Sequence, residues 1–249
     1  ALETHCRVIC LDVVGRGASD WLAHPQHYDY PVYVRDAYAL IKHVAPASQI
    51  WPRLHARLFG GERVIVDWVG TSMGGLIGMV LAAFPFTPIR RLVLNDVGPF
   101  IPAAALERIG SYVGLDPRFQ SVEEIEIYFR KIAAPFGPLT DAQWHHLAVH
   151  SARRCDDGRY RLHYDPDIAV PLRGMAHKDV DLWLVWKRIQ CDTLLLRGAI
   201  SDVLTADTAR AMVKSRGNVT LVEFDGIGHA PTLMADDQIN IVRNFLLAP

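Results

Sequence analysis

Short apolar runs rich in β-branched residues alternate along the chain with helix-length segments, the pattern of a mostly parallel sheet covered on both faces. Five runs read as strands, at residues 7–13, 63–69, 91–95, 193–197 and 219–224. Their apolar positions are continuous rather than strictly alternating, as expected where both faces of a strand are buried. Helices fit between them at residues 30–43, 72–83, 205–216 and 236–247. The third of these opens on Thr205, a capping residue with aspartates close by, which suits a helix N-terminus.

The stretch between about residues 99 and 188 breaks the alternation. It offers helical patterns at 103–113, 122–134, 141–153 and 179–189, punctuated by Pro and Gly, and no convincing pair of strands. The expected organisation is therefore an α/β core from residues 1–98 and 190–249 with a helical cap inserted at 99–189. Such a cap would lie over the strand ends, where open α/β sheets bind ligands.

Composition narrows the partners. The chain has 249 residues, half of them hydrophobic, with 26 basic and 27 acidic side chains and a net charge of −1. No Lys/Arg cluster stands out, so nucleic acid is not an expected partner and a small molecule is. The run from Gly75 to Phe86 lacks charge but is too short to cross a bilayer and contains Pro85. Cys6, Cys10, Cys155 and Cys191 form no C-x-x-C pair. Cys6 and Cys10 flank the first expected strand and read as small buried hydrophobes, and reduced cysteines suit a cytoplasmic setting.

The chemistry begins at Gly70-Thr71-Ser72-Met73-Gly74, a G-x-S-x-G match between an expected strand and an expected helix. A strand that turns directly into a helix holds its serine in a strained backbone conformation, where bulky flanking residues would clash. The hydroxyl then stands at a helix N-terminus, and the amide of Met73 is placed to donate one oxyanion hydrogen bond. A serine hydroxyl needs a base, and His229 in Gly226-Ile227-Gly228-His229-Ala230-Pro231 follows the last expected strand. Asp202, just past the run 193–197, is the expected orienting carboxylate, because Ser72, Asp202, His229 is the chain order of this motif. Asp96 also follows a strand and competes for that role. Loop context favours Asp202.

On these segments, together with Asp12-Val13-Val14-Gly15-Arg16-Gly17-Ala18-Ser19-Asp20 and Leu94 to Pro99, the chain resembles the α/β-hydrolase family from Arg7 onwards. Within it, the sequence is most similar to bacterial esterases and to enol-lactonase-like or carbon–carbon bond hydrolases. The resemblance implies a cofactor-free serine hydrolase acting on a small or medium carboxylic ester through an acyl-enzyme. It also implies that Gly15–Asp20 is a loop near the pocket and that residues 99–188 form the lid. A lactonase or carbon–carbon hydrolase with the same triad is the alternative, as is a non-catalytic ligand-binding protein on the same fold. Dehalogenases and epoxide hydrolases carry a carboxylate at the elbow, where this chain has Ser72. Family members place a strand and a His-Gly loop, source of the second oxyanion amide, upstream of the segment matching residues 7–13. The chain begins at Ala1 and reads as part of a longer protein.

Other features point to structure rather than chemistry. His146 and His150 lie one helical turn apart beside His145, but no third metal ligand accompanies them. Trp183 and Trp186, with Leu182, Leu184 and Val185, read as lid or core packing. Gly15-Arg16-Gly17 is no dinucleotide fingerprint, since Asp20 stands where the third glycine belongs.

Overall fold

The computed structural model describes residues 1–44, 65–175 and 178–248. In chain order, the core elements before the insertion are α1 (Tyr30–Val44), β1 (Val66–Thr71), α2 (Met73–Ala82) and β2 (Ile89–Asn95). The insertion contributes β3 (Phe100–Ile101), α3 (Ala103–Gly110), α4 (Val122–Ile132), α5 (Asp141–Ser151), β4 (Ala152–Arg154) and β5 (Tyr160–Leu162). It continues through α6 (Ala169–Met175), β6 (Val180–Asp181) and α7 (Trp183–Trp186). The chain then returns to the core as β7 (Asp192–Gly198), α8 (Ala206–Ser215), β8 (Val219–Phe224) and α9 (Asp236–Leu247).

Strands β1, β2, β7 and β8 form one parallel sheet in that order. Continuous apolar runs make sense here because successive side chains serve opposite faces. Leu92 and Leu94 of β2, with Leu195 of β7, face a cluster holding Tyr33, Ala37 and Ile41 of α1, Leu76, Ile77 and Met79 of α2, and Met212 of α8. Val93, Leu194 and Leu196 face the other side, against Val242 and Leu246 of α9. Thr205 caps α8 by accepting a hydrogen bond from the Thr208 amide at 3.2 Å.

Several expectations need correction. Residues 7–13 are not a strand. They pair with no strand among the described residues, and Val8, Ile9 and Leu11 are exposed, as are Cys6 and Cys10. β-branched content favours a pleated, half-buried surface but does not make a strand without a ladder partner. Strand β1 spans Val66–Thr71, and the expected start at residues 63 and 64 lies outside the described residues.

The insertion does contain strand pairs: β3 with β6, and β4 with β5, both antiparallel. They are too short for a periodicity of two to register in sequence. The pairing of β6 also displaces most of the helix expected at 179–189, leaving only α7, whose Trp186 is fully buried with its indole N–H on Ser215 Oγ at 2.9 Å. A separate apolar cluster of Phe119, Ile125, Ala148 and Leu162 holds α4, α5 and β5 together.

Candidate active site

The turn from β1 into α2 forces the geometry of Ser72. Its backbone sits at φ 52° and ψ −118°, outside the ordinary regions for a residue with a side chain. Such strain costs on the order of 1–3 kcal/mol and must be held by its surroundings. The Ser72 amide donates to the Asn95 carbonyl at 3.0 Å, and its carbonyl accepts from the Leu76 amide at 3.1 Å. Gly70 is required by close approach, since a Cβ there would stand 2.3 Å from the Gly74 carbonyl carbon. Gly74 itself has open space, so only the first glycine of the motif is sterically demanded. Gly78 lets α2 lie against Trp68, whose indole N–H ties the elbow by donating to the Gly74 carbonyl at 2.9 Å.

His229 sits in the loop between β8 and α9, held by the Gly228 amide on the Pro135 carbonyl at 2.6 Å. Its Nε2 is 2.9 Å from Ser72 Oγ and its Nδ1 is 2.8 Å from Asp96 Oδ2. Ser72 and His229 are thus brought together as expected. Asp202 is not the carboxylate that meets the imidazole; Asp96 is.

The reason lies in what surrounds the two aspartates. Asp96 directly follows β2, next to the central strand β7, and is fully buried with φ 57°. Its carboxylate accepts the Gly198 amide at 2.8 Å and the Ser201 hydroxyl at 2.5 Å besides His229. Two donors and the imidazole Nδ1 converge on this one buried acid, so its oxygens do not lack partners. Asp202 instead faces outward, where Arg108 of α3 grips it with Nε and Nη2 at 2.5 and 2.7 Å. Partial burial pushes the Asp202 carboxyl up, but hydrogen bonds and charge from Arg108 outweigh this and hold it below the usual carboxylate range. The hydrogen bonds of Asp202 go to Arg108, while the imidazole Nδ1 meets Asp96.

Sequence reasoning missed the partners that fix Asp96. Ser201 donates to it while accepting the Val203 and Leu204 amides, both at 3.2 Å. Asn95 ties β2 to β1 and to the histidine loop by donating to Thr71 Oγ1 and to the Pro231 carbonyl, at 2.9 and 2.8 Å. The available signal was the polar Asn95-Asp96 pair closing the apolar run Leu92-Val93-Leu94. Met73 opens α2, so its amide belongs to the first turn and has no intrahelical acceptor. Beside it, Arg16 Nη2 lies 3.5 Å from Met73 Sδ, while Arg16 Nη1 donates to the Val14 carbonyl and to Tyr33 Oη.

The rings of His146 and His150 meet at a tilt of 54° with centroids 4.2 Å apart. Among the described residues, no group of three His, Cys, Asp or Glu side chains could hold a metal ion, and no helix is long and apolar enough to cross a membrane.

A strained serine between a parallel strand and a helix, with an imidazole and a buried carboxylate in line, defines a class of sheet hydrolases. The model of the alpha/beta hydrolase family matches residues 1–240, and the chain belongs to that family. It is 43% identical to the 3-hydroxybutyrate-oligomer hydrolase of Cupriavidus necator over 247 residues, spanning 96% of this chain and 78% of that protein. A crystal structure of an alpha/beta hydrolase from Novosphingobium aromaticivorans is 32% identical and matches 94% of this chain and 77% of its own, with a TM-score of 0.79. The E-2-(acetamidomethylene)succinate hydrolase structure shares the fold at 22% identity and a TM-score of 0.74, covering 95% of this chain and 80% of its own. The protein is an ester-cleaving α/β hydrolase.

Proposed function

We propose that the protein hydrolyses carboxylic esters through an acyl-enzyme on Ser72, with His229 as base and Asp96 as the orienting acid. The carrying observation is the unbroken relay from Ser72 Oγ through His229 to the buried Asp96. An ionised carboxylate only accepts, so Nδ1 carries its proton toward Asp96 and Nε2 is left free to take the serine proton. Ser72 Oγ bonds to the ester carbonyl carbon as its proton passes to Nε2. Collapse of the tetrahedral adduct breaks the ester C–O bond, and Nε2 returns the proton to the leaving alcohol. Water repeats the sequence on the acyl-enzyme and releases the acid. The Met73 amide, at the positive end of α2, meets the oxyanion.

The substrate class is a short linear ester of hydroxy acids. The relative's printed name carries this reading, over nearly the whole of this chain. The core of residues 1–98 and 190–249 supplies the relay, and the insertion 99–189 forms the cap that shapes the acyl and leaving-group sites. A cytoplasmic setting accords with four free cysteines, two of them exposed.

The test is p-nitrophenyl butyrate hydrolysis by the protein and by Ser72→Ala. Turnover that falls by about a millionfold, toward the uncatalysed background, is expected for loss of the nucleophile. Equal rates in both proteins would overturn the serine mechanism.

A further inference from the structure

We propose that the pocket between the Gly17–Trp21 loop and the β4–β5 hairpin is a subsite for the free carboxylate end of a linear ester substrate, held by Arg153 and Arg154. This rests on the reading of the protein as a hydroxy-acid ester hydrolase. The cavity has a volume of about 600 Å³ and is lined by that loop and by Arg153, Arg154 and Arg161 of the hairpin.

The hairpin places Arg153 directly opposite Arg161 in the ladder, an arrangement of like charges that opposes pairing. Both guanidiniums lie over the same ring, Trp21, at 5.5 and 4.9 Å from its centroid. Arg161 has one carboxylate, Asp116, at 3.0 Å, and its Nε is buried with no hydrogen-bond partner. Among the described residues, Arg153 and Arg154 have no carboxylate within ion-pair distance; Asp20 and Asp156 line the pocket but pair with neither. Asp116 already answers Arg161, so Arg153 and Arg154 are the two guanidiniums of the lining left, among the described residues, without an ion-pair partner, and a ligand carboxylate would engage them. Flat, forked guanidiniums suit a carboxylate better than an isolated ammonium would.

Position ties this pocket to the relay. Arg16, which touches the residue after the nucleophile, immediately precedes the pocket's loop. The five links from Arg16 to Trp21 span at most roughly 18 Å even if fully extended. A few ester-linked hydroxy-acid units cover that distance, with one charge at the far end and none between. Free inorganic phosphate shares the oxyanion chemistry and serves as the competing probe.

The experiment compares kcat/KM for a linear 3-hydroxybutyrate trimer as free acid with that for its methyl ester, and with p-nitrophenyl butyrate. The free acid is expected to be preferred by about tenfold, the size of one charge-assisted hydrogen bond. The double variant R153Q/R154Q should lose that preference through KM while keeping p-nitrophenyl butyrate turnover. Phosphate should raise KM for the free-acid trimer alone. Equal rates for trimer and methyl ester, or a preference that survives in the double variant, would overturn the subsite, as would phosphate binding without any trimer preference. Where the double variant fails to fold, the comparison on the unaltered protein decides. Ser72-dependent turnover of p-nitrophenyl butyrate persists if only the subsite is wrong; its absence would instead sink the hydrolase mechanism.

Discussion

Replacing Asp96 and Asp202 by asparagine, one at a time, separates two acids that sit at adjacent strand ends. Asp96→Asn keeps the shape but turns one acceptor oxygen into a donor beside groups that already donate: the Gly198 amide, the Ser201 hydroxyl and His229 Nδ1. The imidazole then keeps a hydrogen bond by placing its proton on Nε2, the wrong nitrogen to accept from Ser72. In an equivalent triad that tautomer error reduces kcat by about 10⁴-fold, or about 5 kcal/mol of transition-state stabilisation. A buried donor left unpaired adds a stability loss of about 1–3 kcal/mol. Asp202→Asn, in contrast, weakens a bidentate contact with Arg108 between side chains 46% and 37% exposed. Such pairs contribute about 0.2–1 kcal/mol, so activity should stay within a few-fold of the unaltered protein. The assay is the initial rate of p-nitrophenyl butyrate hydrolysis near neutral pH, with thermal unfolding run in parallel. A thousandfold loss in Asp202→Asn, with Asp96→Asn nearly unaffected, would refute the assignment.

Two further outcomes follow from the packing. Gly70→Ala would drive a methyl group to 2.3 Å from the Gly74 carbonyl carbon, and backbone cannot yield there as a flexible side chain can. Activity should fall by at least about a hundredfold, since a displaced nucleophile loses its near-attack geometry; an unchanged kcat would show that the elbow tolerates the shift. Tyr28, buried with its hydroxyl donating to Asp165 at 2.5 Å and accepting the Leu22 amide at 2.7 Å, has its phenol pushed up to about 12, first by burial and then by the Asp165 hydrogen bond. A phenol that holds its proton more tightly when folded stabilises the protein fully below pH 10, and that contribution is lost as pH rises from 10 to 12. Tyr28→Phe should lower the midpoint by several degrees at pH 8 and flatten the alkaline fall, read by thermal unfolding at each pH. A fall of the same steepness in the variant would assign it elsewhere.

Much of the protein was legible from residue order. The runs at 91–95, 193–197 and 219–224 became strands because their apolar residues, such as Leu92, Val93 and Leu94 or Leu194, Leu195 and Leu196, serve both faces of the sheet. Ser72 and His229 were legible because a strained serine turn and a glycine-bounded histidine loop are local chemistry. Residues 7–13 carry the same strand composition yet form none, since a ladder needs a neighbour that composition does not supply. The acid was the other point beyond local reach. Asp96 and Asp202 both follow strands, and each has reasonable loop context in sequence. The difference between them is made by groups distant along the chain: Gly198, Ser201 and His229 converge on Asp96, and Arg108 draws Asp202 outward. Likewise, nothing in sequence says that Arg153 and Arg161 share Trp21, because cross-strand register and loop packing decide it. Sequence determined the fold and pointed to Ser72 and His229 as a pair through local pattern. Tertiary structure alone brought Asp96 rather than Asp202 to His229 and gathered the arginines around Trp21, because which buried acceptor gathers partners depends on contacts about a hundred residues apart, such as Asp96 with Ser201 and His229.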